Sequence, residues 1–192
     1  MSTPERTLSL DQNPYAAPIG DFQPAPSGAA PTWFSVTPLK LVLMSLATFN
    51  LYLIYWHYKQ WAQLKQWRGD DIMPWARALF SIFFVNRLFD EVKMAGGNRG
   101  ASLPAGALAV GYILVLIVDR VAARVDLGVF GLIGLAAGFI VMPVQKEINA
   151  QLLDADAAAD LNGRFGVANI IGMCIGFPIL ALAFVGTFLP GE

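Results

Sequence analysis

This chain has one cysteine, one histidine and very little charge. A lone Cys174 excludes an internal disulfide and a cysteine-rich metal centre. A lone His57 leaves no multi-histidine metal centre within one subunit. Charged residues make up 14% of the 192 positions, whereas soluble domains carry about 25%; a surface so poor in charge fits contact with lipid. The net charge of −1 supplies no basic patch for a nucleic acid. The first 37 residues contain no apolar core of a secretion signal, so insertion is expected to use the first apolar helix itself.

Catalytic sets are also missing. Nucleophilic hydrolysis needs a base beside its nucleophile, and no Gly-x-Ser-x-Gly elbow or His-Glu-x-x-His helix occurs. No pair of acids lies within an apolar run, and no phosphate-binding glycine loop ends in lysine. Asp154, Asp156 and Asp160 resemble a calcium loop only superficially. Counting from Asp154, the required glycine is replaced by Ala159 and the required glutamate by Phe165. The expectation is a non-enzymatic chain with no cofactor and no metal.

What the chain does have is four long runs without a charge: residues 41–58, 100–118, 127–145 and 165–191. Each approaches the roughly 20 apolar residues that a helix needs to cross a hydrocarbon core about 30 Å thick. Backbone polar groups find no partner in hydrocarbon, so such segments must coil and satisfy their own. The fold class is therefore all-α: a polytopic transmembrane helical bundle of four or five spans. Residues 1–37, rich in Pro and Ala, form a disordered tail. Residues 38–192 form the helical membrane domain.

The first helix is expected to start at Pro38 and continue unbroken to Arg68, with Gly69 as its stop. Its far half carries Tyr55, Trp56, Tyr58, Lys59, Trp61, Lys65 and Arg68. Aromatic rings of this kind favour the membrane–water boundary, and the cations then sit at headgroup level. These seven are candidate interfacial lipid contacts. Residues 72–94 leave three placements open: a short tilted span, a helix lying flat, or a segment that enters and returns. Asp90 and Glu91 stand three and four residues after Arg87, within reach for local ion pairing.

Residues 119–126 form a tight connection between the second and third runs, capped by Asp119, Arg120 and Arg124. Gly128, Gly131, Gly134 and Gly138 in the third run, and Gly172 and Gly176 in the last, have the spacing that lets membrane helices approach closely. A further helix is expected to extend the third run to Asn162-Gly163, and the last helix to reach about Leu189 with a bend at Pro178. Asn50, Asn86, Arg87 and Asn169 are the candidate intramembrane polar residues. If they faced one another they would line a path for a small transporter or channel, the alternative function. A lipid enzyme would instead need Asp119, Arg120 or His57 to converge on a cavity. With five spans the cations divide almost evenly between the two faces. With four, those from Lys59 to Arg99 share a face with Lys146 and Arg164, which the excess of positive charge would place in the cytoplasm.

Residues 48–59 read Thr-Phe-Asn-Leu-Tyr-Leu-Ile-Tyr-Trp-His-Tyr-Lys. This run resembles an uncharacterised bacterial multi-pass membrane-protein family, a domain of unknown function. The family's mark is an apolar helix ending in Tyr-x-x-Tyr-Trp-x-Tyr-Lys, usually after a Thr-x-Gly turn. Tyr52, Tyr55, Trp56, Tyr58 and Lys59 match it, and Asn50 stands where glycine is common. The Asn-Pro-Tyr-Ala-Ala-Pro segment at 13–18 is similar to the leaders of other bacterial integral membrane proteins. The resemblance implies a bacterial inner (cytoplasmic) membrane location and brings no reaction. The expected partners are the lipid bilayer and other membrane proteins or a second copy of the chain. The glycine faces and residues 55–68 are the expected interaction surfaces of a protein that binds partners or lipids and modulates them.

Overall fold

Three residues divide the first apolar run. Phe49 and Asn50 take positive φ angles of 49° and 66°, and the chain turns back on itself there. The computed structural model describes residues 31–125 and 128–188, with mainly helical structure and no strand among them. Helix α1 (Pro38–Ala47) begins at Pro38, as expected. Helix α2 (Leu51–Arg68) ends at Gly69, where φ is 70°. The expectation of one unbroken helix is corrected, and the cause is local. Asparagine tolerates the left-handed region better than most residues. The Asn50 amide donates to the Ser45 carbonyl at 2.8 Å, and Thr48 Oγ1 donates to the Met44 carbonyl while accepting from the Tyr52 N–H. The break therefore closes its own hydrogen bonds. Helix α2 returns antiparallel to α1 and brings the Tyr55 ring to 5.7 Å from Phe34, which precedes α1.

A second hairpin follows. Helices α3 (Pro74–Leu79) and α4 (Ser81–Ala95) meet at Phe80. Helix α3 climbs beside α2, with Arg77 stacked 4.4 Å over the Trp61 ring. Helix α4 then descends until Glu91 meets Arg68. Of the three placements open for residues 72–94, the hairpin has the shape of the one that enters and returns. Its tip exposes Leu79, Phe80 and Phe83.

The single turn α5 (Gly97–Gly100) leads into α6 (Ala105–Arg124). A 3₁₀ helix, Gly128–Ala136, then packs back along α6 and passes directly into α7 (Ala137–Ala155). Residues 156–166 form a loop where a helix was expected to reach Asn162. Helix α8 (Val167–Gly186) runs parallel to α1. It stays helical through Pro178 and ends short of the expected Leu189.

Among the described residues two helices, α6 and α8, are long and apolar enough to cross a bilayer. The all-α class is observed, and of the four or five spans expected, two stand as single long apolar helices among the described residues. The first run is cut at residues 48–50, and the third is shared between the 3₁₀ helix and α7. Only 22% of the most apolar stretch of α6, and 6% of that of α8, is buried within the protein. These are not core helices of a soluble fold, because their apolar side chains face outward: Leu114 and Val121 on α6, Ile175 and Leu182 on α8.

The protein's own core lies toward the other end, where Trp56, Trp61, Leu88, Phe89 and Ile148 are fully buried. Residues 31–37, assigned to the tail by composition, belong to this core as a strap. Trp33 and Val36 are buried, and Trp33 Nε1 donates to Gln151 Oε1 at 2.9 Å. The Phe34 N–H donates to Gln60 Oε1, and Gln60 Nε2 donates back to the Phe34 carbonyl. The ordered domain therefore starts at least by residue 31, and the tail boundary moves accordingly. Residues 1–30, with the segment 13–18, lie outside the described residues.

The glycine contacts are internal. At Gly176 an added Cβ would overlap the Ala47 carbonyl, at Gly138 it would lie 2.9 Å from Ser45 Cβ, and at Gly134 it would lie 2.6 Å from the Asp119 carboxylate. Gly172 is looser, with Met44 Cε at 3.8 Å. The surroundings of Gly128 and Gly131 lie outside the description. Gly134, Gly138 and Gly176 thus seat helices of the same chain, where a surface for a partner was expected. Gly176→Ala should separate α1 from α8 and cost about 1–3 kcal/mol as overpacking. Gly172→Ala should be tolerated, helped by alanine's better helix propensity. Thermal unfolding of the two variants in detergent micelles checks the contrast.

Candidate functional site

The residues expected to touch lipid separate into buried and exposed groups. Trp56, His57, Gln60 and Trp61 are buried on α2, so the expected lipid contacts at Trp56 and Trp61 are corrected. Trp56 Nε1 donates to Gln145 Oε1, Gln145 Nε2 donates to Asn149 Oδ1 at 2.7 Å, and Asn149 Nδ2 donates to the Val36 carbonyl at 2.9 Å. This chain of amides ties α2 through α7 to the strap. Arg68 is likewise committed, with its two terminal nitrogens on the Glu91 carboxylate, which also accepts from Arg87 Nε at 2.8 Å. Lys65 donates to the Ile72 carbonyl at 2.9 Å. At the same end Arg99 pairs with Asp154, whose hydrogen bond and charge raise the guanidinium's pKa above its ordinary value.

Tyr55, Tyr58 and Lys59 remain outward, or partly so. Tyr55 lines a pocket of about 400 Å³ between the strap, α1, α2 and the start of α8. Tyr52, Lys40, Arg164 and Asn169 share its wall. Lys40 is nearly buried, and its ammonium donates to the Asn162 side chain at 2.9 Å and to the Asn162 and Arg164 carbonyls. Lys59 holds its ammonium 5.6 Å over the Phe34 ring, whose other contacts close the pocket. Arg164 is exposed and has no ion-pair partner among the described residues. Asp160 is the carboxylate that acts on Lys40. Two cations, Lys40 and Arg164, thus line the pocket at the end of α8 where the apolar run begins, and Lys59 stands beside it over Phe34. Sequence reasoning found Tyr55, Lys59 and Asn169 but missed Lys40 and Arg164, which lie more than 100 positions apart in the chain.

A second cavity, about 390 Å³, lies at the tips of the two hairpins. Asn50, Ser81, Tyr112, Asp119 and Arg120 give it polar walls. Asn50 Nδ2 donates to the Gly134 carbonyl at 2.8 Å, and the Gly134 N–H donates to Asp119 Oδ1 at 3.0 Å. Asp119 was expected to cap the connection to the third run. It instead sits within α6 and anchors the 3₁₀ helix. Ser81 Oγ and the Tyr112 hydroxyl lie 3.3 Å apart. His57 stands behind Tyr112, ring centroids 5.5 Å apart. Its Nδ1 meets the Leu53 carbonyl at 2.8 Å and must carry the proton, leaving Nε2 buried without a partner among the described residues.

The four candidate intramembrane polar residues do not converge. Asn50 is at the hairpin tip, Asn86 donates to Asp90 at 3.3 Å, Arg87 pairs with Glu91, and Asn169 lies in the cationic pocket. The transport reading therefore loses the juxtaposition it required. No family model, curated protein or solved structure matches this chain.

Asn149→Leu should leave the Val36 carbonyl and the Gln145 amide unpaired, at roughly 1–3 kcal/mol for each buried group. Lys65→Ala, at an exposed ion pair with Asp71, should stay within about 1 kcal/mol of the parent. Thermal unfolding, together with protease cleavage at residues 31–37, measures both.

Proposed function

We propose that this chain is an integral protein of the bacterial inner membrane that binds anionic lipid headgroups in the pocket lined by Lys40 and Arg164, beside Lys59, without catalysing a reaction. The membrane setting is supported by α6 and α8, whose apolar faces are left exposed by the other described residues. Its bacterial inner-membrane assignment rests on the resemblance of residues 48–59. The chain passes the bilayer three times, through α6, the 3₁₀–α7 run and α8. The α1–α2 and α3–α4 hairpins enter from one side and turn back. Lys40, Lys59, Lys65, Arg68, Arg99 and Arg164 then gather at the strap end, and Arg120 and Arg124 lie toward the other. The positive-inside bias puts the strap end in the cytoplasm.

The observation that carries the binding reading is the charge of the pocket. Lys40 is held by three oxygen acceptors, and Arg164 and Lys59 lack carboxylate partners among the described residues. An anionic headgroup there meets excess positive charge, aromatic rings and the first residues of an apolar helix, while its chains lie along α8.

Each basic residue near a membrane surface contributes about 1 kcal/mol toward anionic lipid. Reversing both exposed charges in an Arg164→Glu, Lys59→Glu variant should therefore weaken binding of phosphatidylglycerol tenfold or more, on the scale of about 1.4 kcal/mol per factor of ten. Binding of phosphatidylcholine should not change. Native mass spectrometry of the protein released from mixed micelles measures both. Equal retention of the two lipids by the parent protein would overturn the reading.

A further inference from the structure

The cavity at the hairpin tips has a charge balance opposite to that of the cationic pocket. Asp119 and Arg120 both line it, one acid against one base. A net anion entering it would face the Asp119 carboxylate, and a net cation would face the Arg120 guanidinium. The remaining polar groups are an amide and two hydroxyls: Asn50, Ser81 and Tyr112. Asn50 Oδ1, in the same wall, is an acceptor without a partner among the described residues. This set matches a headgroup that both donates and accepts hydrogen bonds and carries no net charge.

Depth points the same way. The cavity lies beyond the end of α1, which has ten residues and so rises roughly 15 Å from the strap end. That is about half of a 30 Å hydrocarbon core. A charged headgroup is costly at such depth, whereas a hydroxyl-bearing one needs only hydrogen-bond partners.

Two apolar grooves adjoin the cavity and share its walls. One follows α6 on the side of the α3–α4 hairpin and shares Leu79, Ser81, Leu116 and Arg120 with the cavity before continuing past Ile117 and Val121 to Arg124 at its outer end. The other lies between the 3₁₀ helix and α8, shares Leu132 and Leu135, and continues past Phe177 and Phe184. Their volumes are about 540 and 700 Å³. One polar chamber with a lipid-width groove on each side fits one head and two chains.

We propose that the hairpin-tip cavity binds a neutral two-chain lipid with a hydroxyl headgroup, of the diacylglycerol class, with one acyl chain in each groove. This site is separate from the cationic pocket and does not depend on it.

The test uses the full chain in phosphatidylcholine nanodiscs with a diacylglycerol bearing a photoactivatable group on each acyl chain. Labelling should saturate and fall on peptides of both grooves, from α6 and from the 3₁₀ helix with α8. Unlabelled dioleoylglycerol should compete. Mono-oleoylglycerol, with one chain fewer to bury, should compete at least about tenfold less well. Leu116→Trp, which fills the shared wall, should reduce saturable labelling by a similar factor, and Arg164→Glu should leave it unchanged. The parent-protein competition decides the matter even if Leu116→Trp fails to fold. Labelling that does not saturate, that covers the outer face of α8 evenly, or that phosphatidylglycerol displaces as well as dioleoylglycerol does would overturn the proposal.

Discussion

A helix that stops inside an apolar region must satisfy the backbone groups it releases, and this constraint governs the α1–α2 turn. Thr48, Phe49 and Asn50 meet it by returning their amides to the carbonyls of Met44, Leu46 and Ser45. The Asn50 side chain then reaches the Gly134 carbonyl, and the Gly134 amide reaches Asp119. One hairpin tip thereby fixes α6 against the 3₁₀ helix. Without that closure α2 could not return to meet the strap, and neither the cationic pocket nor the hairpin-tip cavity would have a wall.

The two ends of the molecule follow different physics. At the strap end, tryptophans and amides are buried together in a hydrogen-bonded core, and ion pairs such as Arg68–Glu91 surround it. At the far end, apolar side chains point outward and close glycine contacts hold the helices. Both proposed binding readings rest on this contrast: cations without carboxylate partners among the described residues line one cavity, and an acid and a base together line the other.

The helical class was legible because long uncharged runs leave the backbone little choice. Helices α6 and α8 follow directly from that. The break at Thr48-Phe49-Asn50 was not legible, because no glycine or proline marks it and asparagine's tolerance of positive φ is a weak signal. The role of α2 was misread for a chemical reason. Tryptophan, tyrosine and histidine suit a membrane interface, and they suit equally a buried network that supplies amide partners such as Gln145 and Asn149. The two cavities were legible only in fragments. Arg164 and Lys40 come together only once α8 lies beside α1, and nothing local links Ser81 to Tyr112. The spacing of Gly128, Gly131 and Gly134 was read as a close-packing face. It also matches three residues per turn, the repeat of the 3₁₀ helix on which all three lie.

The strap has a consequence for biosynthesis. Its docking partners, Gln60, Asn149, Gln151 and Asp160, emerge from the ribosome after it, the last three more than a hundred residues later. The segment made early is thus seated late, and Trp33 and Val36 wait without a core until α7 is complete. Closure of this end of the fold thus waits on the synthesis of α7 and the loop after it.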